Sequence, residues 1–377
     1  MSDRTILFTA FEPSGDHHAS LLIRGVKERE PGTKIFAFGG PMMQEAGAEL
    51  IETTTEKAVM MTDVWSEILV HHARLKRVAA WLQENKIDAL VPVDSPAANW
   101  GACKAVRKYQ PKARIVHLVA PQLWAWASWR IRRMLRLSDH VMCLLPFEPD
   151  WFGARGMPGT FVGHPMFNRE VAFDLSGFPE TDKPKLALLP GSRAGELMRN
   201  TPMMLESLKL IQQAVPGVEA LFALRTEDDR KKLLDNVPGV DKVNIVCART
   251  DDAVRWADAV LACSGTATLQ VCAHNTPQAA VYIGSRLMWY TFGRLLIRTR
   301  TFTLPNIVHE WIDGTRAIDE HIFNFGAPKP PADSIIELLN GGEALQKQAE
   351  AYQDIHRAFA AVCFADKAPE VLFEQIG

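Results

Sequence analysis

Four short runs place chemically useful side chains beside glycine or other small residues. EPSGD (12–16) and VDSPAAN (93–99) each set a carboxylate, Glu12 and Asp94, just beyond an apolar run. A carboxylate held there can take the proton from an attacking hydroxyl, the work of a general base. The same residue types also cap helices and brace loops, and that plainer reading stays open for each. Ser14, Gly15 and Asp16 complete the first run and are candidates for substrate contact. In PGSRAGE (190–196), Gly191 permits a tight turn, and Ser192, Arg193 and Glu196 follow at the start of a helical pattern. A guanidinium beside the unpaired N–H groups of a helix start attracts phosphate. An ordinary strand–helix turn with a solvated arginine is the alternative. SGTAT (264–268) offers Ser264, Gly265 and Thr266, whose backbone N–H groups and hydroxyls can face an anion. Two anion-ready loops in one half, without GxGxxG or GxxxxGK[ST], point away from dinucleotides and P-loop nucleotides. They suit a nucleotide-sugar diphosphate.

These loops must be held by strands. TILFTA (5–10), KIFAFG (34–39), ALVPVD (89–94), RIVHLVA (114–120) and HVMCLLP (140–146) read as strands in the first half. LALLP (186–190), EALFAL (219–224), VNIVCA (243–248), AVLACSG (259–265) and QAAVYI (278–283) do so in the second. Apolar strands alternating with helical patterns predict an α/β protein with parallel sheets covered on both faces. Both halves open with strand, Gly-containing loop and amphipathic helix. Two tandem Rossmann-like domains facing each other across a cleft follow, with ligands beyond the carboxyl ends of the strands. The expected boundaries are 1–168 for an acceptor-side domain, 184–342 for a nucleotide-sugar domain, and 343–377 for a helical segment returning to the first. The polar stretch 166–184 reads as the linker.

The chain of 377 residues carries a formal net charge of −2, which argues against nucleic acid as partner. Its six cysteines are scattered without zinc spacing; Cys143, Cys247 and Cys263, in or beside apolar runs, read as small buried thiols of a reducing compartment. No signal peptide or bilayer-crossing run is legible, so a cytoplasmic protein is expected. No metal is expected. His17, His18, His71 and His72 read as surface or loop residues, and His164 as a hinge or ligand contact. Two stretches carry aromatic and apolar residues at helical spacing, AVMMTDVWSEILV (58–70) and RLMWYTFGRLLIRTR (286–300). The second, with Arg286, Arg294, Arg298 and Arg300, fits a peripheral contact with a membrane surface; core packing is the alternative. In APQLWAWASWRIRRML (120–135), Ser128 is the expected N-cap, with Ile131, Met134 and Leu135 facing the core. Arg130 falls in the first turn, where the helix dipole disfavours a cation. That makes it a candidate for an acceptor phosphate, against the alternative of a solvated arginine.

Taken in order, EPSGD, GGPMMQEAG (39–47), PQLWAW followed by Arg130, LLPFEPDWF (144–152), FVGHP (161–165), LLPGSR (188–193), SGTATL (264–269) and LPN (304–306) resemble the lipid-A-disaccharide synthase family. The resemblance implies the GT-B fold and an inverting transferase without cofactor. It would move an acylated glucosamine from UDP to a lipid-linked monosaccharide phosphate at the inner membrane, with a homodimer exchanging C-terminal segments. By resemblance Arg193 holds the diphosphate, Ser264, Gly265 and Thr266 line the nucleotide site, and Asn306 lies near the donor. Asp94 is the base, with Glu12 beside it. The chain departs from the pattern at Phe11, Ala19, Ala97, Ala98 and Ala127, and after LPN. Gln270 stands where the family has a carboxylate for the ribose hydroxyls. These changes keep two alternatives in play: a UDP-sugar epimerase on the same fold, and a divergent or non-catalytic UDP-sugar-binding paralogue with another acceptor.

Overall fold

A computed structural model describes residues 4–55, 64–168, 171–283, 301–322 and 326–377, without the side chains of 64–68. The proposed membrane segment 286–300 lies outside the described residues, as do the side chains of 58–68. The chain divides into two compact units: residues 1–168 with 359–377, and residues 169–358.

The first unit holds seven parallel strands: β1 (Thr5–Thr9), β2 (Lys34–Gly39), β3 (Glu49–Thr53), β4 (Ala89–Pro92), β5 (Arg114–Leu118), β6 (His140–Cys143) and β7 (Gly159–Phe161). Their order is β3-β2-β1-β4-β5-β6-β7. Ile6, Leu7 and Phe8 of β1 are fully buried, because helices cover both faces of the sheet. β3 and β7 were not expected. β3 reads ELIET and β7 has three residues, so neither presents an apolar run.

The second unit holds six parallel strands: β8 (Lys185–Leu189), β9 (Glu219–Leu224), β10 (Asn244–Cys247), β11 (Ala259–Cys263), β12 (Gln278–Tyr282) and β13 (Asp319–Ile322). Their order is β10-β9-β8-β11-β12-β13. β13, sequence DEHI, was missed because it is a polar edge strand paired only to β12.

The C-terminal boundary differs from expectation. Helix Glu343–Ala360 belongs mainly to the second unit, where the Gln348 side chain accepts from Gln278 N at 2.6 Å and donates to Gln278 O at 3.0 Å. The buried Tyr352 hydroxyl accepts from Gln278 Nε2 at 2.9 Å. Only 359–377 return to the first unit, and the stretch 169–183, expected as linker, groups with the second. Helix Phe364–Ile376 puts Phe364, Ala368, Val371 and Leu372 into one core with Ile6, Leu22 and Val91. A Cβ on Gly25 would lie 2.5 Å from Pro369 Cγ, so this crossing needs glycine. FVGHP serves the same junction. Gly163 (φ 82°) passes against the Val362 carbonyl, and buried His164 accepts from Met166 N at 3.2 Å. The His164 ring also meets the Phe359 ring edge-on at 5.8 Å, and so braces the returning segment. His18 also departs from the surface reading: burial, with His17 adding, pushes its pKa down to about 4.

Candidate active site

Each sheet reverses strand order at one place, between β1 and β4 in the first unit and between β8 and β11 in the second. At such a switch point adjacent loops diverge to opposite faces and leave a crevice at the carboxyl ends. The four runs singled out from sequence follow those four strands, so each switch point carries two of them.

In the first unit, Glu12 precedes helix Pro13–Arg29 and Asp94 follows β4. Ser14 Oγ donates to Asp94 Oδ2 at 3.3 Å, and the Ser95 hydroxyl donates to Glu12 Oε1. The hydroxyls thus interlace two neighbouring carboxylates. Desolvation first, and the Glu12 charge second, raise the Asp94 pKa above the ordinary carboxylate value; bonds from Ser14 and the Ser95 N–H partly offset this. Asp94 is held at φ 53°, a conformation strained for a residue with a Cβ. Its backbone is clamped by bonds from Asp94 N to Leu118 O at 2.9 Å and from the buried His117 Nε2 to Asp94 O at 2.9 Å. Asn99 completes the clamp. Its Nδ2 donates to Val93 O at 2.9 Å, and its Oδ1 accepts from Thr9 Oγ1 at 2.7 Å, joining the ends of β1 and β4. His117 and Asn99 were not singled out from sequence, where each reads as one polar residue in an apolar pattern.

Two residues of EPSGD are structural. Asp16 is buried, and its carboxylate accepts from Met42 N at 3.1 Å and Met43 N at 3.0 Å, capping helix Pro41–Glu45. It does not face the crevice. Gly15 is buried too, and a Cβ there would lie 3.1 Å from Ala10 Cβ.

The tryptophan loop differs in detail from expectation. Ala127 takes φ 53°, and Ser128 starts a 3-10 turn, Ser128–Arg130, without a side-chain cap. Helix Ile131–Leu137 buries Met134 and Leu137 but leaves Leu135 41% exposed, so Leu135 is not core. The Arg130 guanidinium lies over the Trp100 ring at 4.6 Å and the Trp126 ring at 5.1 Å. These cation–π contacts hold the guanidinium against two aromatic rings. Desolvation, then Arg133, lower its pKa. Trp124 Nε1 donates to Glu148 Oε1 at 3.0 Å, and Leu145 N donates to Glu148 Oε2 at 3.0 Å. Burial lifts Glu148 to about 7.

In the second unit, Gly191 takes φ 112°, and a Cβ on it would lie 2.9 Å from Glu196 Cβ, so the turn needs glycine. Arg193 is the N-cap of helix Ala194–Ala214. Its guanidinium donates to Glu196 Oε1 at 2.8 Å, with the Arg193 side chain 79% exposed and Glu196 buried. Glu196 therefore orients Arg193 and is itself withdrawn from ligand. Ser192, Gly265 and Thr266 are exposed at neighbouring loops, and Ser264 Oγ donates to Phe302 O at 3.4 Å. Buried Asn200, also missed from sequence, fastens the two loops. Its Nδ2 lies 2.8 Å from Pro190 O and 3.1 Å from Cys263 Sγ. Gln270 Nε2 donates to Asp251 Oδ1 at 2.7 Å, so its carbonyl oxygen is the atom left for a ribose hydroxyl. Asn306 is fully buried: its amide bonds Ile318 O at 2.9 Å, Glu320 Oε2 at 3.1 Å and Ile318 N at 2.8 Å. It braces β13, and direct donor contact is not what this geometry offers.

Residues 6–364 match the family model for lipid-A-disaccharide synthetase. Lipid-A-disaccharide synthase of Trichlorobacter lovleyi is 31% identical over 349 residues, covering 90% of this chain and 89% of that protein. The Myxococcus xanthus enzyme of the same name is 30% identical over 377 residues, covering 98% and 97%. Among solved structures, the glycosyltransferase of kitacinnamycin superposes with TM-score 0.65 at 14% identity, covering 99% of both chains. UDP-GlcNAc 2-epimerase of Neisseria meningitidis, bound to UDP-GlcNAc, gives 0.56 at 11% identity and 99% of both chains. At these identities the structural likeness speaks for the fold.

Proposed function

The chain belongs to the lipid-A-disaccharide synthase family, and from that premise we propose the roles of its two switch-point crevices. It is a UDP-sugar glycosyltransferase of lipid A biosynthesis with two parallel-sheet Rossmann-like domains. The donor's diphosphate is taken by the second unit, by the edge of the Arg193 guanidinium and the N–H groups at the starts of helices Ala194–Ala214 and Thr266–Ala273. Gln270 offers an oxygen to the ribose.

Asp94 is the base. It removes the proton from the acceptor hydroxyl as that oxygen attacks the anomeric carbon. The bond from the anomeric carbon to the diphosphate oxygen breaks, and its electron pair leaves with UDP. Attack from the opposite face inverts the centre. The observation that carries this assignment is the strained, backbone-clamped Asp94 with a pKa raised by burial and by Glu12, an arrangement suited to accepting a proton.

The acceptor is a lipid-linked sugar phosphate. Arg130 supplies edge donors to its phosphate, and the exposed Trp126, Trp129 and Leu135 beside Arg132 and Arg136 support apposition to an anionic lipid surface. None of the helices among the described residues is long and apolar enough to cross a membrane. The epimerase reading shares the fold but not the family, and needs no acceptor.

The test supplies UDP-2,3-diacylglucosamine and lipid monosaccharide phosphate to the purified chain. UDP release should require both. Release or epimerisation without acceptor overturns the transferase reading. Asp94→Asn should cut turnover by about 100-fold or more with UDP affinity kept; near-normal turnover removes Asp94 from the role.

A further inference from the structure

The second unit contains a side-chain cluster that the transferase reaction does not use. His309 lies in helix Leu304–Ile312, Asp313 follows that helix as its C-cap, and Asp354 lies in helix Glu343–Ala360. One ligand-type atom from each falls within 4.8 Å of the others. His309 is 4% exposed.

The hydrogen bonds fix its tautomer. His309 Nδ1 lies 3.0 Å from the Thr315 carbonyl oxygen, which only accepts, so Nδ1 carries the proton. The Thr315 hydroxyl is 3.2 Å from the same nitrogen but gives its own proton to Asp313 Oδ1 at 2.7 Å. A neutral ring then presents a bare lone pair at Nε2. That atom is buried and has no hydrogen-bond partner, and it sits 3.6 Å from Asp354 Oδ2. A lone pair facing a carboxylate is repulsive unless a cation lies between them.

We propose that His309, Asp313 and Asp354 bind one divalent transition-metal ion, with Zn²⁺ the best chemical match. One imidazole and two carboxylates form a borderline donor set that suits zinc. Bond lengths of about 2.0–2.1 Å put tetrahedral ligand atoms about 3.3 Å apart, close to the 3.6 Å between His309 Nε2 and Asp354 Oδ2; an Asp313 oxygen, within 4.8 Å of a ligand atom of each, moves in to complete the set. The outer contacts are those of ligating groups. The distal ring N–H is held by a backbone carbonyl. Asp313 Oδ1 is held by Thr315 N at 3.0 Å as well as by the hydroxyl, and Arg357 pairs with Asp354 Oδ1. Water completes the coordination from the solvent side, where Asp313 is exposed. The ion ties helix Leu304–Ile312 to helix Glu343–Ala360, four residues before the chain leaves the second unit.

The experiment uses the full chain, stripped with chelator, and titrates it with Zn²⁺ by calorimetry and with Co²⁺ by visible absorption. One equivalent should bind and raise the thermal midpoint. Asp313→Asn, an exposed change that keeps the fold, should weaken binding by about 100-fold or more. Thr315→Val, which touches only an outer contact, should weaken it about 10-fold. Absence of stoichiometric binding overturns the site. So does binding unchanged by both substitutions, which would put the ion at other histidines. A third contrary result is an NMR titration of the stripped protein with His309 doubly protonated at neutral pH and unmoved by Zn²⁺; the cation between ring and carboxylate would then be a proton.

Discussion

Asp94 and Glu12 share one network, and the Glu12 charge adds to the desolvation that raises the Asp94 pKa. Asp94 must be ionised to act as base, and activity falls as pH drops through its raised pKa. Glu12→Gln removes the coulombic part of that rise but not the desolvation part. The acid limb of the kcat/KM profile should therefore move to lower pH, measurable over a pH 4 to 8 series; an unmoved limb would separate the two groups. Arg193→Ala should weaken UDP binding by about 10-fold or more, read by calorimetry, because a charge-assisted phosphate contact is lost; unchanged affinity removes Arg193 from the diphosphate site. At this scale the sequence shows which residue types sit after which strands. The loops that carry Asp94 and Arg193 were legible because each follows an apolar run. Asp16 and Asn306 were misread because motif membership does not say whether a side chain faces the crevice or the neighbouring backbone. His117, Asn99 and Asn200 were illegible since their partners lie across the sheet.

At the scale of elements, strands buried on both faces declare themselves as apolar runs, and those expected were found. β3, β7 and β13 failed the same criterion for the opposite reason: short or polar edge strands carry little pattern. The tryptophan loop hangs on Glu148. Its folded pKa of about 7 lies above the ordinary 4.5. Its stabilising contribution is thus full below 4.5 and is lost as pH rises through 7. Trp124 fluorescence should change with a midpoint near pH 7, and that transition should vanish in Trp124→Phe and in Glu148→Gln. A transition surviving Glu148→Gln would point to another group.

For the whole molecule, the tandem α/β plan was readable because each half repeats the same strand–loop–helix opening. The split of the C-terminal helices was not, since an amphipathic helix does not name the sheet it covers. Deleting 359–377 removes Phe364, Val371 and Leu372 from the first core. At about 1.5–3 kcal/mol for each large side chain, the loss rivals a domain's net stability of about 5–15 kcal/mol. Hydrogen exchange should accelerate across β1 and β4 while β8 and β11 keep their protection. Equal loss in both sheets would argue against the separate cores. The arrangement also orders events at the ribosome. The unit translated first cannot close its core until residues 359–377 emerge, whereas the unit translated second already has all its parts. The nascent amino-terminal half must wait, part-folded and with apolar surface open, until residues 359–377 are made.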